Sequence, residues 1–384
     1  MWLADVAGGN PALLTSSDPA PRTAAISWSG DFLFYSRRNL HRIRIDAAAA
    51  KLIGPPEQVT RGASQETHPK AVPFPSPSGW RIALASLATG QSRLYRLPLT
   101  KGGTGGRMEP EPLFSDGASR DTPSLSEDCS KLVYLRRGIE GFEIQSRDFV
   151  LGTERTLLRS KSGMRVRISP DGATVAYNPT ANNEKETDIY LIAPNGGSPR
   201  KACDKCGMIY GWAPDSKRII YRSGAPMRFW TFDTSTGSIS EFLSHPKYHV
   251  HAARYSKDLK WMAFHLAPGD GPQHIFVAPV RDGKGPAESE WIPVYSKPGY
   301  NKRPWWSADG QTLYFISDSD GSDAIYTQRL DPATKRPLGE PAVLYRPEGK
   351  SAALAGGHLV GPGESEKFLI FPMRHVQANV WLAE

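Results

Sequence analysis

The sequence predicts an all-β fold, a β-propeller of four-stranded antiparallel blades, on three observations. A short strand-turn-strand unit recurs along the 384 residues; glycine and proline are abundant, with 36 and 33 copies; and the units repeat at the spacing of a blade. Proline lacks the amide that a helix interior needs, so this composition disfavours long helices. Units of this size cannot bury an apolar face alone and must stack on their neighbours.

Each unit reads as a small or aromatic residue, then Ser, Pro or Ala, then Asp-Gly or a near equivalent, then an alternating strand. The clearest copies are RISPDGATVAYN (167 to 178), GWAPDSKRIIYRS (211 to 223) and WWSADGQTLYFIS (305 to 317). Weaker copies are SWSGDFLFYS (27 to 36), FPSPSGWRIALAS (74 to 86), SLSEDCSKLVYLR (124 to 136), RYSKDLKWMAFH (254 to 265) and GESEKFLIFPM (363 to 373). Proline sets φ at the start of the turn, Asp or Ser bonds the local backbone, Gly takes the positive φ, and the period-2 pattern resumes. A third strand follows most copies, as in DIYLIAPNGG (188 to 197) or AIYTQRL (324 to 330), and leads to a shorter fourth.

The last aromatic or Leu of each second strand aligns at Tyr35, Leu84, Tyr134, Tyr177, Tyr221, Phe264, Phe315 and Phe371, with steps of 43 to 56 residues. That step suits a propeller blade and not a solenoid turn. Eight blades are therefore expected in one propeller domain, 1 to 384, with seven and six as alternatives. The C-terminal NVWLAE (379 to 384) reads as a third strand. It is expected to pair with N-terminal residues, so that the termini close one blade and leave no free edge.

A formal charge of +8 would suit an anionic partner, but Lys and Arg are spread along the chain and form no block. Neither a recognition helix, zinc-finger spacing nor an aromatic RNA-binding signature is present, so no nucleic-acid partner is expected. No stretch reaches the roughly 18 apolar residues of a membrane helix, and the start lacks a leader pattern. A complete chain would then be cytoplasmic, and a fragment of a membrane-anchored protein would be extracytoplasmic. Three cysteines are too few for a disulfide framework.

The in-phase Ser-Pro-Asp-Gly units resemble those of TolB-like β-propellers, related in appearance to WD-type propellers. More narrowly, CDKCGMIYGWAPDSKRIIYRSG (203 to 224), HPKYHVHAARYSKD (245 to 258), QRLDPATKRPLGEP (328 to 341) and ANVWLAE (378 to 384) resemble the C-terminal propeller of acidobacterial membrane-anchored serine/threonine kinases. That resemblance implies a bacterial sensing or interaction module. The kinase itself is missing from this sequence: there is no Gly-rich phosphate loop, no His-Arg-Asp loop and no Asp-Phe-Gly.

Candidate chemistry is sparse. Cys203 and Cys206, two residues apart, have the spacing of a redox pair or half a zinc site, but no second pair completes the four ligands. Local packing in a turn, with a reversible disulfide, is the plainer reading. His249 and His251 alternate on a first strand and can both face a central channel. The run Asp318 to Asp323 alternates oxygen ligands like a calcium loop but lacks the closing Glu, and reads as a hairpin turn. Trp28, Trp212, Trp305 and Trp306 precede the turns and read as packing between blades. No Gly-x-Ser-x-Gly elbow is present, and no catalytic residue is assigned.

The function expected is therefore a non-catalytic ligand- or protein-binding module, a sensor or scaffold. The alternative is a propeller hydrolase or lyase with a channel-mouth active site using His249, His251, Arg254 and Asp323. The expected ligand-binding residues are His249, His251, Arg165, Arg167, Lys302 and Arg303, with Tyr300 nearby; they would make the channel electropositive. No cofactor or resident metal is expected. The partner would be a protein, a peptide or an anionic small ligand, bound by a monomer.

Overall fold

The computed structural model describes Phe32, Leu354 and residues 41–46, 51–57, 92–99, 109–179, 187–268, 273–281, 285–347 and 368–374 in full, with the backbone of the further strands named below. The chain divides into two compact units, Met1–Gly90 with His375–Glu384, and Gln91–Arg374.

The first unit holds a four-stranded antiparallel sheet of Thr23–Ile26, Phe32–Ser36, Leu40–Asp46 and Lys51–Gln58. A three-stranded sheet places Ala378–Ala383 beside Trp80–Leu87, which pairs in turn with Gln65–Pro73. Trp2–Leu3 and Ala12–Leu13 pair with each other.

The second unit is a β-propeller of six four-stranded blades. Blades 1 to 5 are simple meanders. Blade 1 runs through Arg120–Leu125, Lys131–Arg137, Phe142–Asp148 and Thr153–Ser160, and blade 2 through Met164–Ile168, Val175–Pro179, Ile189–Ile192 and Arg200–Cys203. Blade 3 comprises Met208–Trp212, Arg218–Ser223, Arg228–Asp233 and Ile239–Leu243; blade 4, His249–Tyr255, Trp261–Ala267, His274–Pro279 and Ile292–Tyr295. Blade 5 comprises Lys302–Trp306, Thr312–Ser317, Ala324–Leu330 and Pro337–Tyr345. Blade 6 is composite: Ala352–Leu354 and Phe368–His375 pair with Ser92–Pro98 and Glu111–Pro112 from the other end of the unit. Among the described residues the only helix is a short 3₁₀ turn, Glu288–Glu290.

Each blade junction has its own apolar cluster, and together they close the ring. Val133 and Ile144 meet Met164 and Val166 between blades 1 and 2. Ile189 and Leu191 meet Ile209 and Ile219 between blades 2 and 3, and Phe229 and Phe242 meet Val250 and Phe264 between blades 3 and 4. Ile275 and Val277 pack on Leu313 and Phe315, Ile316 and Ile325 on Leu369 and Phe371. Leu94 and Ile370 of blade 6 then meet Leu132 and Tyr134 of blade 1. Fully burying each such side chain contributes about 1.5–3 kcal/mol, so the ring is held mainly by these seams.

The expected count of eight blades is corrected to six, and the expected closure changes with it. Ala378–Ala383 does pair with a strand from the N-terminal part of the chain, Trp80–Leu87, but the ring of blades is closed elsewhere, by blade 6. The last repeat, around Phe371, takes its third and fourth strands from the segment following the second repeat, around Leu84. The first two repeats therefore lie in the first unit. Counting hairpins reveals where local turns form; it does not reveal which distant strand completes each hairpin, because that pairing is long-range.

The turns follow the repeat closely. In blade 2, Ser169 Oγ donates to Asp171 Oδ1 at 2.5 Å, the Ala173 amide donates to the same oxygen at 3.0 Å, and the Thr174 amide donates to Ser169 Oγ at 2.9 Å. Blades 1, 4 and 5 repeat this with Ser126 and Asp128, Ser256 and Asp258, and Ser307 and Asp309. In blade 3, Ala213 replaces the serine and Asp215 still accepts the Lys217 amide at 3.0 Å. The residue after the aspartate has positive φ in all five blades. It is Gly172 and Gly310 in two of them, but Cys129, Ser216 and Leu259, at φ 58° to 61°, in the others.

Candidate functional site

Counting back from each turn aspartate places the channel wall. The residues four positions earlier, Ser124, Arg167, Gly211, Arg254 and Trp305, come from five successive blades and line a single cavity of about 170 Å³. One position nearer the turn, two tryptophans tie the blades together. Trp212 Nε1 donates to the Arg167 carbonyl and Trp306 Nε1 to the Arg254 carbonyl, each at 3.2 Å and each reaching back one blade. Two positions before the wall residue, Thr122, Ala252 and Arg303 have φ of 49°, 57° and 59°, at bulges where the first strand slips register against the second. Such bulges re-aim side chains at the expense of a strained backbone.

The side chains brought together here are mostly cationic. Arg167, 5% exposed, donates from Nε to the Tyr210 carbonyl at 2.8 Å and from Nη1 to the Val166 carbonyl at 2.6 Å. Burial, reinforced by Arg254 and Arg165, pushes its guanidinium down to about 9. Arg254 lies flat on Trp305, with its guanidinium carbon 3.7 Å from the ring centroid, and burial pushes it down to about 10. Arg303 Nη1 reaches the Tyr210 hydroxyl at 3.4 Å. Burial alone would raise the Tyr210 phenol, but Arg303, Arg254, Arg222 and Arg165 outweigh it and hold the phenol below its usual value. Asp121 is the carboxylate that faces this group; burial raises it, against the pull of the Thr122 amide, Arg374, Arg167 and Arg165.

Imidazoles lie toward the end where the first strands begin. His251 Nδ1 is 3.3 Å from Arg222 Nη1, and its ring stacks on His265 at 5.2 Å. Burial, with Arg222, His249 and Arg303 nearby, pushes His251 down to about 4, and burial puts His265 well below the ordinary histidine range. Both are neutral near pH 7.

The residues expected from the sequence fall in several environments. Arg167 lines the cavity, while Arg165 and Arg303 act on the buried groups behind it. His249 is exposed, accepts the Met227 amide at 3.0 Å, and stands 6.0 Å from the His251 ring. Lys302 is paired with Asp323 at 3.2 Å, which neutralises its charge, and Tyr300 is exposed. Cys203 and Cys206 are joined by a disulfide and buried in the seam between blades 2 and 3. In the Asp318 to Asp323 turn, Asp318 accepts the Tyr300 amide and Asp320 pairs with Arg346. Among the described residues no three of His, Cys, Asp and Glu gather as metal ligands. Trp28 lies outside the described residues.

Tyr210, Arg222 and His265 were not expected. Arg222 and His265 directly follow Tyr221 and Phe264, two of the aligned second-strand aromatics, so the repeat phase already contained the signal.

No family profile and no curated protein matches the chain in sequence. Solved structures do match. A protein assigned as TolB from Agrobacterium tumefaciens superposes with a TM-score of 0.51 at 21% identity, covering 67% of this chain and 90% of that one. TolB from Acinetobacter baumannii gives 0.48 at 13% identity, covering 95% and 88%. An oligogalacturonate lyase in complex with manganese gives 0.42 at 18%, covering 87% and 83%. No helix among the described residues is long and apolar enough to cross a membrane. The likeness to the Agrobacterium protein is one of fold: the chain is a β-propeller similar to that of TolB proteins.

Proposed function

We propose that the chain is a non-catalytic binding module, a sensor or scaffold, whose second-unit channel takes up the anionic group of a protein, peptide or small ligand. One observation carries this reading: guanidiniums from four blades converge on one buried region, and the carboxylate that faces them is Asp121. Like charges crowded together away from water destabilise the fold. An oxyanion entering the channel removes that penalty, which favours binding.

The competing reading is a lyase or hydrolase. It is favoured by Tyr210, whose phenol is held below its usual value, and by Asp121, whose carboxyl is raised; both face the same group of guanidiniums, and shifts of this kind suit proton transfer. Calorimetric titration with hexaglutamate, with hexalysine as control, tests the first reading. Hexaglutamate binding is expected to weaken as salt rises and to weaken in Arg303→Gln. Absence of binding by any anion, or binding indifferent to salt, rejects it. Under the binding reading Tyr210→Phe keeps its affinity, because only a hydroxyl is lost; an anionic substrate turned over by the parent and not by this variant supports the enzyme instead.

A further inference from the structure

We infer that the cavity at the turn end of the channel is a receptor for one carboxylate on a flat, apolar body about the size of an amino-acid residue, with Arg254 on Trp305 as the anchor and the Lys257–Glu127 ion pair as the gate. This rests on the channel reading above and adds the ligand class and the point of entry.

Arg254 differs from the other cations around it. Arg167 uses Nε and Nη1 on backbone carbonyls. Arg218 and Arg120 are paired with Asp215 and Asp116. Among the described residues the Arg254 guanidinium has no hydrogen-bond acceptor and no carboxylate; its partners are the faces of Trp305 and Tyr210. Opposite it stands Gly211, where a Cβ would sit 3.9 Å from Arg254 Nη1, so the space beside the guanidinium stays open. Arg254 is partly exposed, and a guanidinium carries five donors in a plane that matches a carboxylate edge, so its donors are open to an incoming ligand. Stacking on Trp305 fixes the plane without using the donors.

The walls define the rest of the ligand. Trp212, Tyr255, Trp306, Pro170 and Pro214 present flat apolar surface. A volume of about 170 Å³ is close to that of the engineered cavity, ~150 Å³, that admits a benzene ring, so the space takes one ring or aliphatic side chain and excludes a polymer. Of the residues lining the cavity, Glu127 alone is a carboxylate, and it is engaged by Lys257 Nζ at 2.9 Å. These two occupy the same repeat position in blades 1 and 4, which face each other across a six-bladed ring, so the ion pair spans the mouth. Both side chains are partly exposed, at 28% and 46%, so the pair is weak enough to exchange. An incoming carboxylate takes Lys257 from Glu127 and passes to Arg254.

Two sources carry this chemistry: a free aromatic or aliphatic acid, and the C-terminal residue of a partner protein. Tryptophan fluorescence and calorimetry with N-acetylphenylalanine, with its amide, and with an octapeptide ending in phenylalanine as acid or amide separate them. The acids are expected to bind and the amides to fail. Arg254→Gln is expected to weaken the acid at least about tenfold, the scale of a charge-assisted hydrogen bond. Glu127→Gln, a change at the surface that leaves the core intact, is expected to tighten it about threefold by removing the carboxylate that competes for Lys257, within the range of an exposed ion pair. Binding of both acids points to the free acid as a sufficient ligand; binding of the octapeptide acid alone points to a protein C-terminus. The inference is overturned if amides bind as well as acids, if Arg254→Gln binds like the parent, or if Glu127→Gln binds more weakly. If neither acid binds while hexaglutamate does, this inference falls and the channel reading stands; if no anion binds, both fall.

Discussion

The turns and the channel wall lie four residues apart in sequence and follow opposite rules. At the turn, five blades place an aspartate in the same role, and in four of them a serine completes the same hydrogen-bond set. At the wall, the same backbone position holds Ser124, Arg167, Gly211, Arg254 and Trp305, no two neighbours alike. Repetition marks the residues that build the frame. Departure from the repeat marks residues the frame does not need, and here two of the five are arginines. The turns stabilise the fold, whereas the wall reduces its stability in return for a receptive surface.

The largest expected effect on stability tests the channel side through pH. His251, pushed to about 4, faces Arg222, His249, Arg303 and His265, and His265 also faces Lys302. Folded values below the unfolded 6.5 mean that the unfolded chain binds more protons between pH 4 and 6.5, so stability rises with pH across that window. It is complete above 6.5, and the part that comes from His251, up to about 3 kcal/mol, is lost as pH falls to 4. Melting temperature measured from pH 4 to 8 checks this, with His251→Gln expected to flatten the curve. A flat parent curve would show that these imidazoles are not held neutral by the fold.

Next in size is the turn. The double change Ser307→Ala with Asp309→Ala removes three hydrogen bonds and should lower stability by about 2–3 kcal/mol in urea unfolding, at about 1 kcal/mol each. Hexaglutamate affinity should stay where it was. A variant that kept its stability and lost the ligand would reverse the assignment of turn and wall.

Much of this contrast was legible in the sequence. The turn chemistry is local, so Ser-Pro-Asp-Gly could be read directly, and Asp171, Asp215 and Asp309 bond their own hairpins. The candidate wall was only partly legible. Arg165, Arg167 and Arg303 were picked out because they precede a turn, but Lys302 also precedes one and is neutralised by Asp323, 21 residues later. Arg222 and His265 reach the channel region from second strands, where a bulge in the neighbouring first strand shifts the register. The blade count failed for the same reason: it depends on contacts between distant parts of the chain.

The smallest expected effect lies within the turns themselves. Gly172 has φ +68°, and a Cβ placed on it would sit 3.3 Å from Ser126 Cβ, so Gly172→Ala should lower stability by about 1 kcal/mol. Cys129 holds the equivalent position at φ 61° with a side chain that left-handed backbone disfavours. Cys129→Gly should therefore raise stability by roughly 0.5 kcal/mol, the steric relief outweighing the added freedom of the unfolded chain. Unfolding midpoints of the two variants should move in opposite directions; movement in the same direction would mean that the turns are not equivalent.

The composite blade has a consequence for how the propeller comes into being. Blades 1 to 5, with every residue lining the cavity, are contiguous in the chain, and all of them leave the ribosome before Phe368–His375. Until that strand arrives, Ser92–Pro98 is a sheet edge with Leu94 and Leu97 waiting for cover, and the nascent molecule is an open arc whose cations have not yet been enclosed. The same strand of another copy carries the same complementary edge. Completion of the ring by the chain's own Phe368–His375 is thus what separates a self-closed ring from a strand-exchanged assembly, and the cations are enclosed only after blades 1 to 5 have been made.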